Sequence, residues 1–515
     1  MIDNQQNNKR IAKNTVFLAI RQVIVMAIAL YVSRITLRAL GVDDFGIYNV
    51  ICGFVSMFTF LNGAFTTGIQ RFYNFEFGKN GTEGANRVFV NAVLVQISLA
   101  IIIVILLESI GLWYMYEKMV VPDNRFNAAM WVFQISVVST VVMMLQVPYN
   151  AAILAHEKMD FLSFLSILNQ VLKLIIVVVL QYLSGDKLIL YGLLFLGITI
   201  IDLILNLIYA HAKFKEVNYQ TKIDKPLLKQ MFSFSGWNIF GKFSYVMREQ
   251  GLNMVLNLFF GPAVNAARGL AFQVTGALNG FVSNVNVAVK PHLTQSFAQG
   301  NIDRTLSLFH TVSKLCFFIL FFLSLPICLE IDFVLNLWLG KGEVPDYTNI
   351  FIILVSLMLL LRTLSTQISF VVHATGVMVK YQVVTSIIDL MIVPFAYIAL
   401  KLNAFPPIVF LVAMAVSIVD FVVSLFILRG IINISLKHYA QHVIIPLILF
   451  SSASILIPLS ARLLMTAGWF RFFLVLSLSC ISVIVCFYTL GLNLRERVIA
   501  KTYTIQYIKK LKHNG

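Results

Sequence analysis

Ionisable side chains stand inside long apolar runs at several points of this sequence, and they are the groups that could do chemistry. The basic ones are Arg21, Lys173, Lys242, Arg248, Lys314 and Arg362, with Arg34, Arg268 and Arg471 nearer the ends of their runs. The acidic ones are Glu108, Asp202, Glu249, Asp389 and Asp420. A charge at mid-depth in a bilayer costs a few kcal/mol or more, so such groups face a wet cavity or an opposite charge. Cations in that position suit an anionic cargo. They offset the desolvation of a phosphate or pyrophosphate, and arginine can grip one through two parallel hydrogen bonds.

A cationic cavity holding Arg21, Lys242, Arg248, Lys173, Lys314 and Arg362 is therefore the expected substrate site. Structural pairing with buried carboxylates is the competing reading. Arg34, Arg268 and Arg471 are expected to snorkel to the nearest interface along their long stems. Glu249, Asp202, Asp389 and Asp420 are candidates for binding a coupling proton or sodium ion, against the same structural alternative. Lys242 and Glu249 are seven residues apart and share a helix face. The five cysteines show no metal-ligand spacing and read as small core residues. Glu330-Ile331-Asp332 has the acid-x-acid form of a metal-assisted glycosyl-transfer site, but it stands alone and reads as a solvated span boundary. His156, His211, His310, His373 and His442 are scattered and read as interfacial residues. No cofactor and no metal is expected.

The elements that must position these charges follow from composition. The chain has 515 residues, 59% hydrophobic and only 12% charged, with a mean hydropathy of +0.86; soluble proteins are about 25% charged. Lipid is the solvent for most of it. A spanning helix needs about 20 apolar residues, and runs this long exclude a barrel, whose strands would alternate. The expected class is an all-α polytopic membrane protein of about 14 transmembrane helices. The spans fall at 13–37, 45–70, 88–115, 128–155, 161–183, 188–211, 231–260, 263–289, 306–329, 348–373, 379–400, 405–428, 440–460 and 468–491. Proline kinks are expected at Pro148, Pro326, Pro394 and Pro446.

The net charge of +16 could suggest nucleic acid, but its distribution argues for topology. One set of connections carries about 23 lysines and arginines and the other about 7, and basic loops stay cytoplasmic. Both termini are expected inside. The polar, basic start and the retained arginines of the first span do not read as a signal peptide. The expected organisation is residues 1–211 as a first six-span lobe, 212–230 as a cytoplasmic linker and hinge, 231–430 as a second lobe, and 431–515 as two further spans with a basic tail. A shift of about 220 residues pairs Leu40-Gly41 with Phe260-Gly261, Phe77 with Phe297 and Phe89 with Phe309, the internal repetition common in transporters. The same shift brings Arg21 beside Lys242, one cation per lobe. No loop is long enough for a separate catalytic domain.

Two stretches carry a family resemblance. LRALGVDDFGIYNV (37–50) resembles the outer turn after the first span in polysaccharide exporters of the multidrug/oligosaccharidyl-lipid/polysaccharide (MOP) superfamily, through Gly41, Phe45, Gly46 and Tyr48. VPYNAAILAHEKMDF (147–161) resembles their fourth-to-fifth-span connection, through Asn150, Ala155, Glu157 and Lys158, followed by Lys173 in the fifth span. VVHATGVMVKYQ (371–382) echoes it in the second half, whereas Asn265 and Ala266 replace Phe45 and Gly46 there. The resemblance implies the multidrug and toxin extrusion (MATE) fold, with a central cavity between spans 1–6 and 7–12. It implies a Wzx-type inner-membrane flippase for undecaprenyl-pyrophosphate-linked O-antigen or capsule repeat units of lipopolysaccharide and related polymers. It implies partners among a polysaccharide polymerase and other biosynthetic proteins, and a place for Arg21 comparable to the first-span arginines of lipid II flippases. Competing classes are a cation-coupled drug exporter on the same fold, a membrane polymerase or glycosyltransferase, and a scaffold for the biosynthetic complex. The reading favoured is not an enzyme.

Overall fold

The computed structural model describes the backbone of residues 2–498 and 501 except 59, 157, 220–223, 378, 403–404 and 495; the side chains of 2–23, 232–242 and a few other positions fall outside the description. In chain order the helices are α1 (Ile2–Ser56), α2 (Phe60–Leu106), α3 (Leu112–Glu117), α4 (Phe126–Ala155), α5 (Met159–Tyr182), α6 (Lys187–Lys213), α7 (Lys225–Phe260), α8 (Pro262–Ala298), α9 (Ile302–Leu329), α10 (Ile331–Trp338), α11 (Thr348–Thr375), α12 (Val379–Lys401), α13 (Ile408–Ile432), α14 (Leu436–Tyr439), α15 (Ile445–Leu464) and α16 (Trp469–Cys486). No strand occurs among the described residues. Lipid offers backbone groups no water, so each helix closes its own hydrogen-bond ladder. Eleven described segments are long and apolar enough to cross a membrane. All fourteen expected spans fall on helix, the second divided between the end of α1 and the start of α2. The chain is an all-helical, multi-pass membrane protein.

The direction of the chain reverses at glycines. Gly41 breaks α1 at φ 80° and ψ 172°, and Gly261, 220 residues later, parts α7 from α8 at φ 72° and ψ −173°. Only glycine adopts such a backbone without cost. The same residue, conformation and spacing support the register of the internal repeat. Six spans separate the two turns, so both lie on one face of the bundle, called below the glycine face.

Near that face the first half packs tightly on the second, because small residues let the backbones meet. A Cβ on Gly46 would stand 1.9 Å from the Pro262 carbonyl oxygen, one on Gly53 2.5 Å from Gln250 Oε1, and one on Gly269 2.8 Å from Asn49 Oδ1. Amides cross the same contact. Asn253 Nδ2 donates to the Asn49 carbonyl (3.2 Å), and Asn257 pairs in both directions with the Val120 backbone (2.9 and 3.2 Å); within the second half, Asn265 Nδ2 steadies Asn253 by donating to its O (2.7 Å) and Oδ1 (2.8 Å). The larger buried apolar cluster runs through this contact: Val50, Ile51 and Phe54 of α1 belong to it together with Ala266, Ala267 and Leu270 of α8 and Phe351 of α11. A second cluster joins α9 and α11 to α15 and α16.

The exporter-like turn is clamped as well as bent. Arg125 bonds Asp44 at 2.6 and 2.7 Å and Asp186 at 2.6 and 3.0 Å, tying three connections of the glycine face together. The same guanidinium holds the Asp186 carboxyl below the usual carboxylate range, and Asp186 also caps α6 through the Leu188 and Ile189 amides. Tyr48 meets Tyr191 edge to face with centroids 4.7 Å apart.

Several expectations are corrected. Glu330 is not solvated: it is 2% exposed and accepts from the half-buried Arg471 at 2.8 Å. His156 is more than an interfacial residue. It bonds Glu216 at 2.5 Å and stacks on Phe214 at 4.1 Å, while Tyr73 donates to the same carboxylate at 3.0 Å. Tyr149 and Tyr219 share a hydrogen bond of 2.8 Å. Residues 214–219 of the expected linker are thereby held against the first half; 220–223 lie outside the described residues.

Replacing Gly46 by valine is expected to lower the thermal unfolding midpoint of the detergent-solubilised protein, by roughly 1–3 kcal/mol of overpacking. A glycine-to-alanine change in an unconstrained helix would stabilise by about 1 kcal/mol instead. An unchanged or raised midpoint for both Gly46→Ala and Gly46→Val would contradict the close approach to Pro262.

Candidate functional site

Four helices, α1, α7, α8 and α11, enclose a cavity of about 750 Å³. Their cavity-facing residues recur at helical spacing: Asn49, Gly53 and Ser56 on α1, Tyr245, Glu249 and Asn253 on α7, and Arg268, Phe272, Thr275 and Asn279 on α8. The α11 wall contributes Val355, Met358, Arg362 and Thr366. Polar groups on a spanning helix are tolerated when they line such a wet space. Beyond Asn49 and Gly269, toward the glycine face, the two halves are in contact.

One wall carries a knot of charge. Glu249 Oε1 accepts from Arg248 at 3.1 Å and from Arg362 at 3.0 Å. Arg268 reaches the Glu249 carbonyl oxygen at 2.5 Å and its Oε2 at 3.8 Å. Arg248 also donates to Asp389 at 2.5 Å. Among the groups in direct contact, three guanidinium groups thus share two carboxylates, one positive charge in excess. The Tyr245 ring lies between two of them, 5.2 Å from the Arg248 guanidinium and 5.0 Å from that of Arg362, and Phe272 lies 4.1 Å from that of Arg268. Arg248 and Arg268 are buried, with side chains 6% and 7% exposed, whereas Arg362 is 27% exposed and meets the cavity. The Nε donors of Arg248 and Arg268 are buried without a partner.

Of the residues singled out from sequence, Arg248, Arg362, Glu249 and Asp389 come together here. Asp420 is within electrostatic range of Asp389, Arg248 and Arg362, and its Oδ1 is buried without a partner. Arg21 and Lys242 lie on α1 and α7, but their side chains lie outside the described residues. The remaining candidates sit elsewhere. Lys314 is 2% exposed and paired to Glu496 beyond α16, so it holds the tail and does not line this cavity. Lys173 lies over Phe195, 5.3 Å from the ring centroid, in the contact of α5 with α6. Asp202 accepts from Gln146 at 2.8 Å between α4 and α6.

Arg268 was expected to snorkel; α8 instead turns it inward beside Glu249. The signal for it was the run of amides and hydroxyls at three-to-four spacing below it on α8. Amides across the cavity, including Gln250 and Asn253, have no comparable signature. His310, His438 and His442, remote in sequence, lie with ring centroids 5.5 and 3.8 Å apart, yet no cluster that could hold a metal occurs among the described residues.

A family model described as "Polysaccharide biosynthesis protein" matches residues 11–297, more than half of the chain. No curated protein matches the chain in sequence. Among solved structures, an inward-facing multidrug resistance MATE transporter of the MOP superfamily is similar over 81% of this chain and 99% of its own, at 14% identity and a TM-score of 0.68. The lipid II flippase MurJ in an inward closed conformation is similar over 92% of this chain and 98% of its own, at 14% identity and a TM-score of 0.68. A MOP superfamily transporter from Pyrococcus furiosus, described as having a binding pocket of reverse polarity, is similar over 81% of this chain and 95% of its own, at 16% identity and a TM-score of 0.60. At such identities the likeness shows the fold.

Arg248→Ala leaves Asp389 unpaired beside Asp420 and is expected to cost about 3–5 kcal/mol, read as a lowered unfolding midpoint in detergent. The double replacement Arg248→Leu with Asp389→Leu should recover most of that loss. Equal midpoints for wild type and Arg248→Ala would show that the pair is not structural.

Proposed function

Since this chain belongs to the family of polysaccharide biosynthesis proteins, we propose that it is a flippase moving a polyprenyl-pyrophosphate-linked oligosaccharide from the cytoplasmic to the periplasmic leaflet of the inner membrane by alternating access. The observation that carries the reading is the placement of Arg268 and Arg362 on the cavity wall, sharing the single carboxylate of Glu249. A pyrophosphate entering the cavity brings acceptor oxygens to donors that one carboxylate does not satisfy, and arginine binds such oxygens bidentately. The prenyl tail stays in lipid while the glycan occupies the wet space.

The excess of basic residues on one set of connections supports cytoplasmic termini, which places the glycine face in the periplasm. The tight contact of α1 with α8 there supports a state closed outward and loaded from the cytoplasm. Alternating access then requires the Gly46, Gly53 and Gly269 contacts to part. Whole-lobe movement of 1–211 against 231–430 is part of this proposal, with α1, α7 and α8 as the surfaces that separate. A drug exporter for cationic compounds fits less well, because the excess charge on this wall is positive. Glu249, Asp202, Asp389 and Asp420 remain candidates for proton or ion coupling. Asp202 and Asp420 each have a buried oxygen without a hydrogen-bond partner. Handing the flipped unit to a polymerase is the expected partnership.

Arg362→Ala is expected to reduce transport about 10–100-fold, the weight of one to two charge-assisted hydrogen bonds. The readout is lipid-linked oligosaccharide retained on the cytoplasmic side and lost surface polysaccharide, at unchanged protein abundance. Arg268→Ala should act in the same direction. Normal surface polysaccharide from both variants would overturn the assignment of the site.

A further inference from the structure

Among the described lining residues, charge is confined to one end of the cavity. Among the described lining residues the ionised groups are Glu249, Arg268 and Arg362, and hydrogen bonds join both arginines to Glu249. Below Arg268 the α8 wall continues through Gln273, Thr275, Asn279, Ser283 and Asn286, one or two residues per turn over about 20 Å of helix. None of these five can ionise. All can both donate and accept hydrogen bonds, as sugar hydroxyls do.

Their bonding leaves capacity for a ligand. Gln273 Oε1 is buried without a partner. Thr275 spends its proton on the Ala271 carbonyl at 3.0 Å, which leaves its oxygen able to accept. Asn286 Oδ1 takes Gln367 at 2.8 Å, and its amide donors remain. Asn279 and Ser283 are exposed to the cavity. The wall opens midway along this run, because Gly276 has no side chain and a Cβ there would meet nothing within 4 Å. Phe272, Val282 and Met358 supply apolar surface nearby for the C–H faces of sugar rings.

We infer that this face of α8, from Gln273 to Asn286, is the track for the glycan, and that it selects a glycan without ionised groups: neutral or N-acylated sugars, not uronic acids or free amino sugars. The inference rests on the flippase reading, in which Arg268 and Arg362 take the pyrophosphate. Among the described residues of this wall, a carboxylate farther along the glycan would lose its water and find no cation, and an ammonium would find no acid. Neutral hydroxyls and acetamido groups exchange water for amides and hydroxyls at little cost. A volume of about 750 Å³ lies in the range that encloses a drug-sized ligand, which suits a short repeat unit and not a polymer.

The test compares lipids that differ only beyond the pyrophosphate, using the full-length protein in nanodiscs and three probes: polyprenyl pyrophosphate, the same lipid bearing a neutral N-acetylated disaccharide, and one bearing a uronic acid in the second sugar. Wild type is expected to bind the neutral glycolipid about three- to tenfold more tightly than the bare lipid, with no such gain for the uronic acid. Asn279→Ala with Ser283→Ala should remove the gain and leave bare-lipid binding unchanged. Gly276→Phe grows into open space, so it should keep the wild-type unfolding midpoint and bare-lipid affinity while excluding both glycolipids. Equal affinities of wild type for all three lipids, a gain for the uronic acid, or losses in the variants that are the same for bare lipid and glycolipid would each overturn the track. No binding of polyprenyl pyrophosphate to wild type would overturn the flippase reading itself, and the track with it.

Discussion

A guanidinium taken out of water must find acceptors, and inside a bilayer those acceptors can come only from the protein or its cargo. Three of them meet at Glu249. That requirement draws α7, α8, α11 and α12 together, since Arg248 and Glu249 come from the first, Arg268 from the second, Arg362 from the third and Asp389 from the fourth. The arrangement is incompletely neutralised. Two carboxylates satisfy part of the donor capacity of three arginines, and the remainder faces or borders the cavity. The knot therefore serves two roles: it anchors the second half of the chain, and it leaves a positive wall where an anion can be received.

Around this anchor the two halves meet through contacts chosen for closeness and reversibility. Gly46, Gly53 and Gly269 bring backbone within reach of backbone or amide, and the asparagines that cross the contact bond main-chain groups. Small residues give van der Waals contact over a short distance, and neutral hydrogen bonds across helices are worth about 1 kcal/mol each in membranes. Among the described residues, the ion pair that crosses between the halves, Arg38 with Glu343 at 2.6 Å, is solvent-exposed and so inexpensive to separate. Ion pairs with a buried member lie elsewhere: Arg248 with Glu249 and Asp389 inside the second half, Arg471 with Glu330 beside α10, and Lys314 with Glu496 after α16. The last two of these pairs fix the C-terminal spans to α9 and α10, away from the contact between the two halves.

Particular residues show where reading in one dimension stops. Gly41 and Gly261 were recognisable as equivalent turns because a fixed shift paired them, and both adopt the same positive-φ conformation. Arg248, Glu249 and Arg362 were recognisable because any charge inside an apolar run requires an explanation. Lys314 met the same criterion and serves a different purpose: its partner, Glu496, is 182 residues away, and no local pattern marks it. Glu330 was misread for the same reason, and the partner of His156, Glu216, was equally hidden, since contact with a distant helix or loop leaves no trace in the neighbouring sequence.

Sequence alone determined the solvent, the number of spans, the class of fold and the sign of the charge that had to be accommodated, because hydropathy and helix length are local quantities set by bilayer thickness. Tertiary structure decided which charges confront one another and which confront open space. It moved Arg268 from an expected interface to the cavity wall and Lys314 from the cavity to the tail, and it aligned the α8 amides along one side of the chamber. The physical reason is that a charge is indifferent to sequence distance: its energy depends on what stands within a few ångströms, and in this bundle those neighbours come from helices more than a hundred residues apart.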